Sequence, residues 1–262
     1  MINATGNRMS REIQRQSRLA DDIASTQIQV STGKRLSRAS DDPNASARIS
    51  TIRTTQANEA GWARNVTLAT SLTAQADTVM ASVSDLLARG KELSLAAANP
   101  SASAADRATI QLELNALADE VDSLAATRSV LGDPLFASGN PLAMRVGEGI
   151  SFTPVPSRAS LFEVGGQSIA QHLRSGSIAG IDAAIDHVAN GRGQIGIAAA
   201  RLDRLRDMQA ANAITLAAER STLEDTDLTS AIAKLNSQTI TLEAAQAAFA
   251  RINRRTMMDI IG

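Results

Sequence analysis

The chain has 262 residues, with 26 basic and 27 acidic side chains and a formal net charge of −1. That balance excludes a nucleic-acid binder held by net positive charge, and the absence of cysteine excludes disulfides, thiolate metal sites and cysteine nucleophiles. Two histidines are too few for a histidine-built metal centre, and 48 alanines with only 2% aromatic residues suit long, closely packed helices better than an enzyme core.

The first 30 residues carry Arg8, Arg11, Arg15 and Arg18 and lack the apolar run of a secretory leader. Met9, Ile13, Ala20, Ile23 and Val30 follow three- and four-residue steps, with Gln16 and Gln27 in the same stripe. This predicts an amphipathic helix with a thin apolar face, ended by Gly33. After a loop, Asp42-Pro43 reads as an N-cap with proline at the first helical position, where no amide donor is needed. Leu68, Leu72, Ala76, Val79, Val83, Leu86 and Leu93 form a near-heptad stripe in a helix over 44–98, stopped by Asn99-Pro100. Asp106 opens a further helix with Ile110, Leu114, Leu117, Val121 and Leu124 on one face.

The helical pattern then breaks. Four of the six prolines lie between Pro134 and Pro156, and short β-like runs occur at Leu142–Val146, Ile150–Val155 and Leu161–Val164. Three of the four Phe residues fall here, as a small compact β-rich region requires. Helix returns at Ser177–Ala189 and again at Gly196–Ser221. In the last segment Leu228, Leu235, Leu242 and Phe249 are spaced by seven, Ile232 is a four-step neighbour, and Thr239, Gln246 and Asn253 are polar partner positions. One helix over 228–261 would be about 50 Å long and cannot bury its face alone. Both end helices therefore suit a coiled coil that forms late, or only with neighbours.

Residues that carry chemistry do not converge. Asp21-Asp22 and Asp41-Asp42 read as caps or solvated turns rather than a catalytic dyad. Arg192-Gly193-Gln194-Ile195-Gly196 lacks the preceding strand and the full glycine spacing of a dinucleotide site. No catalytic, cofactor-binding or metal site is expected. No apolar stretch approaches 18 residues, so no membrane insertion is expected either.

The segment Val30-Ser31-Thr32-Gly33-Lys34-Arg35-Leu36-Ser37-Arg38-Ala39-Ser40-Asp41-Asp42-Pro43 resembles the N-terminal signature of the flagellin family. Ser31-Thr32-Gly33-Lys34-Arg35 and Ser40-Asp41-Asp42-Pro43 look most like the flagellin-like, hook-associated members at the hook–filament junction. Arg64-Asn65, Lys91-Glu92-Leu93, Leu135-Phe136-Ala137-Ser138-Gly139 and Leu223-Glu224-Asp225-Thr226-Asp227 resemble further family segments. The resemblance covers roughly residues 1–130 and 175–262 and implies a mainly α, long-helix coiled-coil rod with a small β-rich tip. The division expected is a terminal assembly region (1–43 with 220–262), a helical rod domain (44–130 with 175–219) and a tip (131–174).

The resemblance also implies a structural, non-enzymatic subunit of the bacterial flagellum without cofactors, joining hook to filament and supporting motility. Its assembly helices would close through Met9, Ile13, Ile23, Val30, Leu228, Ile232, Leu235, Leu242 and Phe249. The partners implied are a second junction protein on the hook side, flagellin on the filament side and a flagellar export chaperone. Secretion would run through the flagellum's own type III apparatus, with no cleaved signal peptide and no nucleic-acid partner. A small filament-forming flagellin is the alternative within the same class. An intracellular helical signalling or chaperone bundle would share the heptads and the alanine content but not the signature segment.

Overall fold

The computed structural model describes the backbone of residues 2–261 and the side chains of residues 9–251, so Asn253 lies outside the described side chains. The chain is mainly α. In order it forms α1 (Ile2–Thr32), α2 (Pro43–Ala98), α3 (Ala104–Ala125), β1 (Met144–Gly147), β2 (Ile150–Phe152), α4 (Arg158–Phe162), β3 (Glu163–Val164), β4 (Gln167–Ser168), α5 (Ile169–Ser175), α6 (Ile178–Glu224) and α7 (Leu228–Ile261). It divides into two compact units, Met1–Gln56 with Ile214–Gly262, and Ala57–Ala213.

The second unit holds the core. Along α2, Val66, Ala69, Thr73, Ala76, Met80, Val83, Leu87, Gly90 and Ser94 are buried at three- and four-residue steps, flanked by buried Leu72, Val79 and Leu93. Leu114, Ala118, Val121 and Ala125 of α3 and Ile181, Ala184, Val188, Ile195 and Leu202 of α6 complete it. Two caps set the boundaries of the predicted helices. Asp42 accepts the amide N–H of Ala45 (3.0 Å) ahead of Pro43, and Ser103 and Asp106 form a reciprocal capping box that opens α3.

Residues 131–174 have no core of their own. Leu135, Phe136, Met144, Val146, Phe152, Leu161 and Phe162 join the same buried cluster as the helices. Side chains on α2 and α6 hold this region by its backbone. Asn65 donates to the Arg145 carbonyl (2.7 Å) and Gln209 to Val146 (2.9 Å), and Gln75 donates to the Arg128 carbonyl (2.9 Å) in the loop just before the region. Arg201 lies over the Phe152 ring at 5.5 Å, and Phe136 meets Phe162 edge-on at 4.9 Å. β1 and β2 pair antiparallel with a bulge between Arg145 and Gly147. β3 and β4 are joined by Gly165-Gly166, both at positive φ as a two-residue hairpin turn demands.

The structure corrects two expectations. Leu161–Val164 is not a strand run, because Ser157 caps a helical turn over Arg158–Phe162 and only Glu163–Val164 pairs. Residues 178–224 form one 47-residue helix rather than two. Gly191, in the gap expected between the two, lies inside α6, and a Cβ there would stand 2.8 Å from Leu161 Cδ2. Glycine serves close approach there, not a turn.

The same logic gives opposite signs for two helix-interior glycines. A methyl at Gly90 overlaps Cδ2 of the fully buried Leu173, whereas one at Gly193 meets nothing within 4 Å. Gly90→Ala should cost about 1–3 kcal/mol by overpacking, more than the helix propensity it gains. Gly193→Ala should gain about 0.5–1 kcal/mol. Thermal unfolding followed by the fluorescence of Trp62, the only tryptophan, should show a lower midpoint for the first and a higher one for the second.

Candidate assembly interface

The first unit is built differently. Among its described residues only Thr26, Ala45, Ile49, Ile52, Glu224 and Ala231 are buried. Its largest feature is the antiparallel pairing of α1 with α7. Gln16 donates to the Ala245 carbonyl (3.5 Å), and the Thr26 hydroxyl donates to the Asp22 carbonyl (2.9 Å) and the Gln238 side-chain oxygen (3.0 Å).

The seam follows a strict heptad. On α1 the inward positions are Glu12, Gln16, Leu19, Ile23, Thr26 and Val30. On α7 they are Ala231, Leu235, Gln238, Leu242, Ala245 and Phe249. Ile23, Val30, Leu235, Leu242 and Phe249 are thus half-buried in the seam. Ile13 (54% exposed) and Ile232 (47%) lie one position off it, and Met9 (40%) and Leu228 (47%), on its lines one heptad before Gln16 and Leu235, stay exposed rather than closed in the pair. The sequence stripes missed Leu19 and Thr26 on α1 and the layer Ala231, Gln238 and Ala245 on α7. The signal was present at 3.5-residue spacing, but small and polar residues hid it.

The displacement has a consistent sense. Ile13, Ala20 and Gln27 each follow a seam residue by one position, as do Ile232, Thr239 and Gln246 on α7. In an antiparallel pair one such step turns both helices toward the same side. The pair therefore has an open flank carrying exposed Ile13 and Ile232, while Met9 and Leu228 stand exposed on the seam lines themselves, seven residues before Gln16 and Leu235. The opposite flank of α1 carries exposed Arg15, Arg18 and Asp22, again at three- and four-residue steps.

The signature segment closes the base of this pair. Ser31 and Thr32 donate their hydroxyls to the Ile28 carbonyl (3.0 and 2.7 Å) in the last turn of α1. Gly33, at φ +68°, reverses the chain where a side chain would be strained. Lys34 then pairs antiparallel with Asp225, with Arg35 N–H donating to the Glu224 carbonyl (2.8 Å) and Thr226 N–H to Gly33 (2.9 Å). The Glu224 carboxylate, in a residue only 8% exposed, meets Lys34 (3.5 Å), Arg220 (3.4 Å) and Arg53. Arg35 reaches the Leu223 carbonyl (3.0 Å) and Asp42 (3.6 Å). Ser40 sits exposed in the turn, and Asp41 closes it by accepting from Ser37 and Arg38. Pro43 begins α2.

Two carboxylates here are held below their ordinary range. For Asp41 the largest cause is the Arg38 amide N–H, followed by the Ser37 hydroxyl. For Asp227, which caps α7, it is the Ser230 hydroxyl, followed by the amides of Ser230 and Thr229. Among the described residues no group of histidine, aspartate and glutamate is arranged to hold a metal ion.

A profile of the bacterial flagellin N-terminal helical region matches residues 3–140, and one of the C-terminal helical region matches residues 178–259. Flagellin E of Vibrio cholerae serotype O1 is 34% identical over 145 residues, 53% of this chain and 38% of that protein. This chain thus spans well under half the length of that curated relative. The flagellar filament 30.7 kDa core protein of Treponema maltophilum is 25% identical over 254 residues, 89% of each chain. Flagellar hook-associated protein 3 of Salmonella typhimurium is 30% identical over 109 residues, 42% of this chain and 34% of that one. A solved structure from Vibrio parahaemolyticus, described as a flagellar hook-associated protein, shares the fold. Its TM-score is 0.62 at 20% identity, over 71% of this chain and 100% of that one.

Because the folded pKa values of Asp41 and Asp227 are depressed, their contribution to stability is present above the unfolded value near 3.8 and is lost as pH falls through the folded one. Acid titration by NMR should move the amides of Ser37, Arg38, Thr229 and Ser230 with midpoints below 3.8. Movement centred above that value contradicts the assignment.

Proposed function

The chain belongs to the flagellin family, and on that premise we propose that it is a structural subunit of the bacterial flagellum, placed at the hook–filament junction and assembled through its terminal helix pair. The observation that carries the assembly reading is the set of large apolar side chains that the α1–α7 pair leaves exposed, on its open flank and along its seam lines. Met9, Ile13, Leu228 and Ile232 each leave about half their surface in water. Covering them against a neighbouring copy contributes about 1 kcal/mol each. A single copy gains none of this, while an array gains it at every contact. Leu19, Ile23, Leu235, Leu242 and Phe249 supply the seam that presents the flank.

The junction assignment is supported by Asp41-Asp42-Pro43, by the Leu135–Gly139 segment and by the match to a hook-associated protein 3. A junction subunit meets a hook-side partner at one end and flagellin at the other. Its axial contacts therefore need not be self-complementary, whereas a filament subunit repeats one heterologous contact indefinitely. A flagellar export chaperone and the type III export route complete the proposed set of partners. A second reading, a short filament flagellin, is favoured by the filament core protein that matches over 89% of both chains.

Two outcomes separate these readings. The purified protein should not grow into micrometre-long filaments, and a deletion strain should secrete flagellin yet bear hooks without filaments. Long homopolymers, or normal filaments in the deletion strain, favour the filament reading instead. Leu242→Asp tests assembly itself, because a charge in the seam is desolvated without a partner at a cost of several kcal/mol. It should fall at least tenfold in sheared flagella while Trp62 emission stays unchanged, since Trp62 belongs to the second unit.

A further inference from the structure

Heptad seams do not specify their own register. Sliding α7 along α1 by seven residues moves it about 10.5 Å and puts Leu235 or Phe249 in place of Leu242 opposite Leu19, again apolar on apolar. The connection from α1 does not prevent this. The ten residues 33–42 between α1 and α2 reach about 33 Å when extended. Register must come from contacts that do not recur every seven residues. Gln16 meets only a backbone carbonyl, which any register offers, but among the described residues two polar contacts at the pair are of the non-recurring kind. One is the Thr26–Gln238 hydrogen bond, which a slipped seam replaces with other half-polar layers. The other is the cluster around Glu224.

We propose that Glu224 is the register-setting residue of the terminal helix pair. Its carboxylate collects three cations from three segments: Lys34 just after α1, Arg53 on α2 and Arg220 on α6. Its own carbonyl takes the Arg35 amide, and the next two residues pair with Lys34 and Gly33. The end of α1 is thereby fixed against the corner that leads into α7. A slip of one heptad would pull Lys34 from the carboxylate and leave a largely buried charge with fewer partners, a costly state. Apolar burial makes the pair stick, and Glu224 decides where it sticks. The consequence for the flagellum rests on the assembly reading above, but the register claim concerns the chain itself and stands or falls in solution.

The native chain has no cysteine, so introduced thiols report without background. Gln16 with Ala245 and Thr26 with Gln238 bracket the level of Leu19 with Leu242. Leu19→Cys with Leu242→Cys therefore reports the native register. Leu19→Cys with Leu235→Cys, or with Phe249→Cys, reports a slip of one heptad either way. Disulfide yields under a mild oxidant are measured on the purified full chain, with and without Glu224→Gln. The native pair should lead the slipped pairs at least tenfold in the parent, and Glu224→Gln should cut that ratio at least fivefold with Trp62 emission unchanged. An unaltered ratio, or equal yields in the parent, overturns the proposal. If Glu224→Gln lowers all three yields together, the milder Lys34→Gln decides. A reduced ratio there supports the register role, and an unchanged one overturns it. Since flagellar incorporation is not read, a failed junction or assembly assignment leaves the result interpretable.

Discussion

The terminal half of this protein depends on one largely buried carboxylate. Glu224 is flanked by cations separated from it in sequence by as many as 190 positions (Lys34) and as few as four (Arg220). A carboxylate removed from water is unfavourable unless its lone pairs are met, so the three segments that carry Lys34, Arg53 and Arg220 are drawn to one place. The backbone bonds of Arg35 and Thr226 then satisfy groups that a helix end and a tight corner would otherwise leave open. The signature segment is therefore a joint rather than a site of chemistry. Gly33 turns the chain, Lys34 and Arg35 grip the corner, Asp41 closes the loop, and Asp42 starts the next helix.

The two units solve burial in opposite ways. The second packs long helices around alanine, leucine, valine and a few phenylalanines, and glycines such as Gly90 and Gly191 let other helices approach closely. It also recruits the proline-rich middle of the chain, whose loops would fray alone, through amide side chains that bond the loop backbone. The first unit has only a handful of buried residues and a seam alternating leucine with alanine, glutamine and threonine. Such a seam is specific but thin. It presents an apolar flank on one side and charge on the other, which is the asymmetry an assembling element needs: one face for a neighbour and one for water.

Much of this was legible from the residues alone. Long apolar periodicities, with proline or aspartate near the starts of α2 and α3, determined α2, α3 and α7 within a few positions and the end but not the start of α1, since capping and helix period are local properties. The break after residue 130 followed from prolines and glycines whose backbone preferences are equally local. What the sequence could not decide was which face of each end helix meets the other. Ile13 and Ile232 are large apolar groups, yet the seam runs through Glu12 and Ala231 beside them and on through Thr26 and Gln238, because closeness of approach and a cross-helix hydrogen bond settle an antiparallel pair as much as side-chain size does. Nor could it show that α6 continues through its glycines, or that Glu224 gathers cations from three segments. Those facts depend on residues far apart in the chain meeting in space, and only the tertiary structure brings them together.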